Sequence, residues 1–181
     1  LEYLTRHDKL TGLMNRHAFD DELAQMLENA QSRGGVTVFL IDLDDFKPIN
    51  DSYSHFAGDT VLTAVAENMV RVAGPEALVA RLGGDEFAVA VANLPSDAVA
   101  IKLGTYIVRA LEAPIAFEQK KLRVGASLGI ARTTETLRSA NELCAGADQA
   151  MYRAKEAAGT SVVLYNTADF PTRHTLEDRQ A

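Results

Sequence analysis

The stretch that decides the fold is ALVARLGGDEFAVAVA, residues 77–92. Two short apolar runs, 77–82 and 87–92, flank Gly83-Gly84-Asp85-Glu86. Glycines between two such runs predict an antiparallel β-hairpin, because glycine adopts the backbone angles that tight turns require. The turn of this hairpin carries two carboxylates. A second landmark lies upstream. Residues 36–43 (VTVFLIDL) are short, apolar and rich in β-branched and aromatic side chains, which predicts a buried strand. It ends in Asp42, Asp44 and Asp45. Charges there are costly to bury unless something positive pairs with them. Two carboxylate clusters at strand ends in one small domain fit a hard divalent cation held by oxygen ligands. A solvated loop with helix-capping aspartates is the other reading of the same residues.

Outward from these strands the pattern turns helical. Phe19, Leu23, Met26 and Leu27 have helical spacing and predict a helix over 19–32, stopped by Gly34-Gly35. Residues 44–54 read as a polar loop holding Pro48. A helix is expected over 55–72, with Phe56, Val61, Leu62, Val65 and Met69 on one side, ended by Gly74-Pro75. Another is expected over 96–112, with Ile101, Tyr106 and Ile107 in its core stripe. The segment 114–132 reads as two strands around Glu118-Gln119-Lys120-Lys121. A helix over 141–158 and a strand over 162–165 complete the order. Helices mixed with hairpins predict an α+β fold, a mainly antiparallel central sheet flanked by helices.

Composition sets the outer limits. The chain has 181 residues, enough for one domain with its own core. Apolar residues make up 47% and charged residues 24%, which excludes a disordered chain. No apolar run approaches the ~18 residues of a membrane span, so no membrane contact is expected of this segment. The net charge of −7 argues against nucleic acid as a partner, since phosphate contacts need clustered Lys and Arg. The single cysteine, Cys144, forms no intrachain disulfide, which fits a reducing, cytoplasmic setting. It reads as a small buried residue, and Asp148 and Tyr152 read as structural. The chain has no signal-peptide pattern. It opens on Leu1, and residues 1–7 read as the end of a helix arriving from a longer protein.

Five ordered blocks resemble one family. Gly83-Gly84-Asp85-Glu86-Phe87 resembles the GGDEF signature of diguanylate cyclases. Asp8-Lys9-Leu10-Thr11-Gly12-Leu13-Met14-Asn15-Arg16 is similar to the family's D-x-L-T-G-L-x-N-R. The run from Asp42 to Asp51 is similar to D-x-D-x-F-K-x-I-N-D. His55, Gly58 and Asp59 follow as in G-H-x-x-G-D, with Ser54 in place of the first glycine. Ser127-Leu128-Gly129-Ile130-Ala131 matches S-x-G-I-A, and Ala147-Asp148 with Met151-Tyr152-Arg153-Ala154-Lys155 matches A-D-x-A-L-Y-x-A-K. Several ordered blocks make a chance match far less tenable than a single motif would.

The resemblance implies a βαββαβ-type core like that of adenylyl cyclases and polymerase palms, with the signature on the hairpin. It implies a domain over 8–166, preceded by a linker helix and followed by a polar tail or linker at 167–181. It implies condensation of two GTP into cyclic di-GMP with release of two pyrophosphates, at the interface of two copies. On this reading Asp42, the Leu43 carbonyl and Asp85 ligate Mg²⁺, with Mn²⁺ as the alternative, and Glu86 is a second-metal or supporting carboxylate. Asp85 is also the candidate for taking the proton of the 3′-hydroxyl. Phe46 and Lys47 hold the β- and γ-phosphates, beside Gly83 and Gly84. Asn50 and Asp59 read guanine, whose donor pattern differs from that of adenine. His55 supports the start of its helix, and Lys155 approaches the terminal phosphate. From spacing alone Asn50 reads rather as a helix N-cap and Asp59 as an exposed helix acid, and a solvated helix lysine is an open reading of Lys155.

Two departures bear on function. Many family members carry R-x-x-D upstream of the signature, where product binds and inhibits. Here those positions are Gly74, Pro75, Glu76 and Ala77, so that feedback is not expected. After Lys155 the family continues x-x-G-R-N, whereas this chain reads Glu156-Ala157-Ala158-Gly159-Thr160-Ser161. The missing arginine removes a charge-assisted phosphate contact of about 1.5–3 kcal/mol, which implies weaker GTP binding. The resemblance also implies an upstream sensory or receiver domain and leaves room for a downstream one. It admits a second role, a GTP-binding regulatory domain controlling an attached phosphodiesterase. A pure dimerisation module would leave Asp42, Asn50, Asp59 and Asp85 unexplained.

Overall fold

The structure, a computed structural model, describes residues 6–30, 34–157 and 161–169. Its elements in chain order are α1 (Arg16–Ala30), β1 (Val36–Asp44), α2 (Phe46–Ser52), α3 (His55–Ala73), β2 (Leu78–Gly83), β3 (Glu86–Ala92), α4 (Asp97–Leu111), β4 (Ile115–Phe117), β5 (Lys120–Leu122), β6 (Gly125–Arg132), α5 (Ala140–Glu156) and β7 (Val162–Leu164). The sheet order is β2-β3-β1-β6-β7, and β4-β5 form a separate ribbon. Every pairing is antiparallel except β6 with β7. The mainly antiparallel α+β architecture is therefore as the sequence predicts.

Strand β1 occupies the centre because it is apolar on both faces. Its side chains alternate, as a strand requires. Phe39 and Ile41 join Phe87 and Val89 under α3, α4 and the ribbon. Val36, Val38 and Leu40 join Ala88 and Ala90 under α1 and α5. Continuing the even-numbered row brings Asp42 out on the α1/α5 face, at the strand's end, where it is 9% exposed.

Four expectations are corrected. Residues 46–52 are a helix, not a loop. Pro48 is tolerated because a helix's first turn has no intrahelical use for its N–H. Asp45, at φ 58°, makes the left-handed step from strand to helix. The segment 114–132 holds three strands, since β6 follows the ribbon. Ile101 and Tyr106 are 41% and 48% exposed rather than core. The buried face of α4 runs through Ala100, Gly104, Ile107, Val108 and Leu111, the 4-4-3 spacing of one helical stripe. Phe56 likewise leaves the α3 stripe. Most of the expected upstream helix, the end of the helix predicted over 19–32, residues 158–160 and most of the polar tail lie outside the described residues.

Candidate active site at the end of the central strand

Helix α5 controls one side of the site. Ser139 accepts from the Glu142 N–H at 3.2 Å, and Glu142 accepts from the Ser139 N–H at 3.0 Å, a capping box that fixes the helix start. Along its length α5 lies directly on β6 at Gly129. A Cβ at Gly129 would stand 2.0 Å from the Ala147 carbonyl oxygen and 2.2 Å from the Met151 nitrogen. Only glycine permits that backbone-to-backbone approach. The consequence is at the helix's far end, where Lys155 Nζ donates to Asp42 Oδ1 at 2.7 Å.

That ammonium sits in a field of carboxylates. Partial burial pulls the Lys155 pKa down. The hydrogen bond and charge of Asp42, with the charges of Asp44 and Asp85, outweigh it and raise the value above the ordinary lysine range. Three acids from the strand end and the hairpin thus act on one cation. Asp44 itself accepts from the Ser127 hydroxyl, at 2.9 Å through Oδ2 and 3.1 Å through Oδ1. Asp45 is exposed and stands apart.

The hairpin is tied to β1 and to the N-terminal turn. Asp42 lies opposite Glu86 in register, and the Leu43 N–H donates to the Asp85 carbonyl at 3.1 Å. Gly83 and Gly84 turn at φ 146° and 53°. Arg81 then locks the turn. Its Nε and Nη2 donate to the Gly84 carbonyl at 2.9 and 2.8 Å, and its Nη1 donates to Asp8 Oδ1 at 3.1 Å. Burial pushes the Asp8 pKa up. The Thr11 hydroxyl and N–H, with Arg81, more than reverse this and hold it below the usual value. The block around Asp8 is therefore a brace. Its Asn15 caps α1 by accepting from the Ala18 N–H at 2.9 Å, and Arg16 reaches Glu86 at 3.7 Å. Sequence reasoning missed Arg81 altogether.

The other side of the site is built from α2 and α3. Phe46 is partly buried against the core, and Lys47 is exposed on the same first turn. Ser54, the departure from the family pattern, caps α3 by accepting from the Ala57 N–H at 3.2 Å. His55 is exposed at the helix start. Asn50 folds over α3, and a Cβ at Gly58 would stand 2.0 Å from its Oδ1. This sets the Asn50 amide against the residue preceding Asp59, which is exposed.

The structure thus pairs Lys155 with Asp42 at the end of the central strand, within electrostatic reach of Asp85 on the hairpin, and sets Asn50 against the residue before Asp59 at the adjoining helix. It sets Glu86 toward Arg16. The hard donors at the edge are the carboxylates of Asp42 and Asp85 and the backbone oxygen of Leu43. Among the described residues no three His, Cys, Asp or Glu side chains converge as an all-protein metal cage. Magnesium does not ask for one, because it is usually held by one or two carboxylates together with substrate phosphates. The donor set fits that mode. Cys144 plays no part in this edge: burial, with Asp20, pushes its thiol up to about 11, so it stays protonated at neutral pH.

Comparison with known proteins agrees with this geometry. A family model described as "Diguanylate cyclase, GGDEF domain" matches residues 5–161. Diguanylate cyclase TpbB of Pseudomonas aeruginosa is 40% identical over 160 residues, 87% of this chain and 37% of that protein. Cyclic di-GMP phosphodiesterase NbdA of the same species is 38% identical over 177 residues, 97% of this chain and 22% of that protein. The chain thus spans well under half the length of these relatives. The solved GGDEF domain of TpbB superposes with a TM-score of 0.85 at 40% identity, covering 90% of this chain and 96% of that one. The chain belongs to the GGDEF domain family of diguanylate cyclases.

Proposed function

We propose that the domain is an active diguanylate cyclase. Two copies, each holding one GTP, face each other. The 3′-oxygen of each GTP attacks the α-phosphorus of the other. Two P–O bonds form, two α–β phosphoanhydride bonds break, and two pyrophosphates and two protons leave. The observation that carries this reading is Lys155 Nζ donating to Asp42 Oδ1 at the end of the central strand, where the charge of Asp85 on the hairpin also acts on the ammonium.

Asp42, Asp85 and the Leu43 carbonyl would hold Mg²⁺, or Mn²⁺ in its place, and the bound ion would supply neutralisation of charge on the transferring phosphoryl group. Asp85 is the acceptor for the 3′-hydroxyl proton, and Glu86 is a supporting carboxylate. Lys155 exchanges Asp42 for the terminal phosphate. Lys47 and the Phe46 backbone hold the β- and γ-phosphates beside Gly83 and Gly84. Asp59 accepts from the guanine N1–H and 2-amino group, and Asn50 pairs with a remaining ring acceptor. His55 supports the helix start. The catalytic unit is residues 8–166. Proximity of two loaded copies is the regulated quantity, set by attached sensory or receiver domains in the cytoplasm.

The match to a phosphodiesterase over nearly the whole chain favours one second reading, in which the domain binds GTP and regulates an attached module. Product formation separates the two. Incubated with GTP and Mg²⁺, a cyclase yields cyclic di-GMP at a rate that rises more steeply than protein concentration. A regulatory domain binds GTP and yields none.

A further inference from the structure

Phe56 is an anomaly in this fold. It is 71% exposed, the most exposed large apolar side chain among the described residues. Yet it stands at the start of α3, three residues before Asp59, and residues three apart share a helix face. The two line one groove of about 470 Å³ between α3 and the β4-β5 ribbon, with Leu10, Thr60 and Ile115. That volume lies within the range of small-molecule pockets. The Phe56 ring is not free to collapse onto the core. Phe117 of the ribbon holds it from one side, ring centres 5.9 Å apart and planes at 54°, a favourable tilted pair. The rest of the side chain is exposed. An aromatic wall facing a groove that also presents a carboxylate is the arrangement that takes a planar heterocycle with an N–H edge. The wall stacks on the ring face, and the acid accepts from the edge.

We propose that Phe56 is the stacking wall of the base site, contacting the purine of the nucleotide whose edge Asp59 reads. The inference rests on the functional reading above and deepens it. It also divides labour. Stacking is tolerant of base identity, so Phe56 supplies affinity while Asp59 supplies choice.

The test is calorimetric titration of the 181-residue chain in Mg²⁺ with GTP, ATP and inorganic triphosphate, for wild type, Phe56→Ala, Phe56→Trp and Asp59→Ala. Phe56→Ala is expected to weaken GTP roughly 5- to 150-fold, the range of one base–aromatic stack. Phe56→Trp restores GTP binding, and inorganic triphosphate binds all four alike, which also reports that they are folded. If Phe56→Ala binds GTP like wild type while Asp59→Ala does not, the stacking role is overturned and the functional reading stands. The stacking role falls equally if Phe56→Ala leaves affinity intact but slows product formation only at low protein concentration, since the ring then serves contact between copies. If the wild type does not prefer GTP to ATP, the functional reading itself falls, and this inference with it.

Discussion

Lys155 and Asp42 are 113 residues apart in the chain and 2.7 Å apart in space. The pair closes the site. Asp42 is almost buried at the end of the central strand, and the last helix delivers the cation that compensates it.

Removing that cation leaves Asp42 uncompensated beside Asp44 and Asp85. Lys155→Met is expected to destabilise the domain by about 1–2 kcal/mol, the value of a charge-assisted hydrogen bond reduced for the lysine's partial exposure. Urea denaturation measures it, and added Mg²⁺ should recover part of the loss. The lysine pKa is raised on folding, so its stabilisation is full below the usual value of 10.5 and is lost as pH rises through the folded value. Wild type should therefore lose its advantage over Lys155→Met in strongly alkaline buffer. Equal stability of the two at neutral pH would count against the pair.

Gly129 decides where Lys155 stands. Gly129→Ala forces a methyl against the α5 backbone, where nothing flexible can yield. The expected cost is about 3 kcal/mol, at the upper end for overpacking, with GTP affinity falling as the helix shifts. A loss below about 0.5 kcal/mol in the same urea assay would mean that α5 does not rest on this glycine.

Gly58 has a different neighbour. The nearest atoms to the intruding methyl of Gly58→Ala all belong to the Asn50 amide, the end of a side chain that can swing away. Helix propensity favours alanine by about 1 kcal/mol. Stability should hold or rise, while preference for GTP over ATP falls as Asn50 is displaced. A variant that melts early yet keeps its nucleotide preference would reverse this account.

The brace between Asp8 and Arg81 makes a pH prediction. The Asp8 pKa is depressed on folding, so its stabilisation is present above the usual value of 3.8 and is lost as pH falls through the folded value. Asp8→Asn should cost about 1 kcal/mol at neutral pH, and the gap to wild type should close in strongly acidic buffer. A gap that stays constant with pH would place the effect elsewhere.

The strands and the hairpin were legible because composition and glycine punctuation mark them locally. The acids at 42 and 85 were legible for the same reason. Arg81 was not, because it sits inside an ordinary strand run and its partner Asp8 is 73 residues away. Helix α2 was hidden by Pro48 and its polar neighbours, though proline in a first turn is permitted. Phe56 satisfied the helical period of α3, and periodicity alone does not tell a core face from a ligand-facing one. The start of α5 did carry a readable signal, Ser139 followed three residues later by Glu142.

The most direct test compares wild type with Asp85→Ala, each fused to the same forced dimer at high concentration with GTP and Mg²⁺, and reads product by mass spectrometry. The account predicts cyclic di-GMP from the wild type and none from the variant. Product from both would take the chemistry off the hairpin. No product from a wild type that still binds GTP would make this a regulatory domain instead.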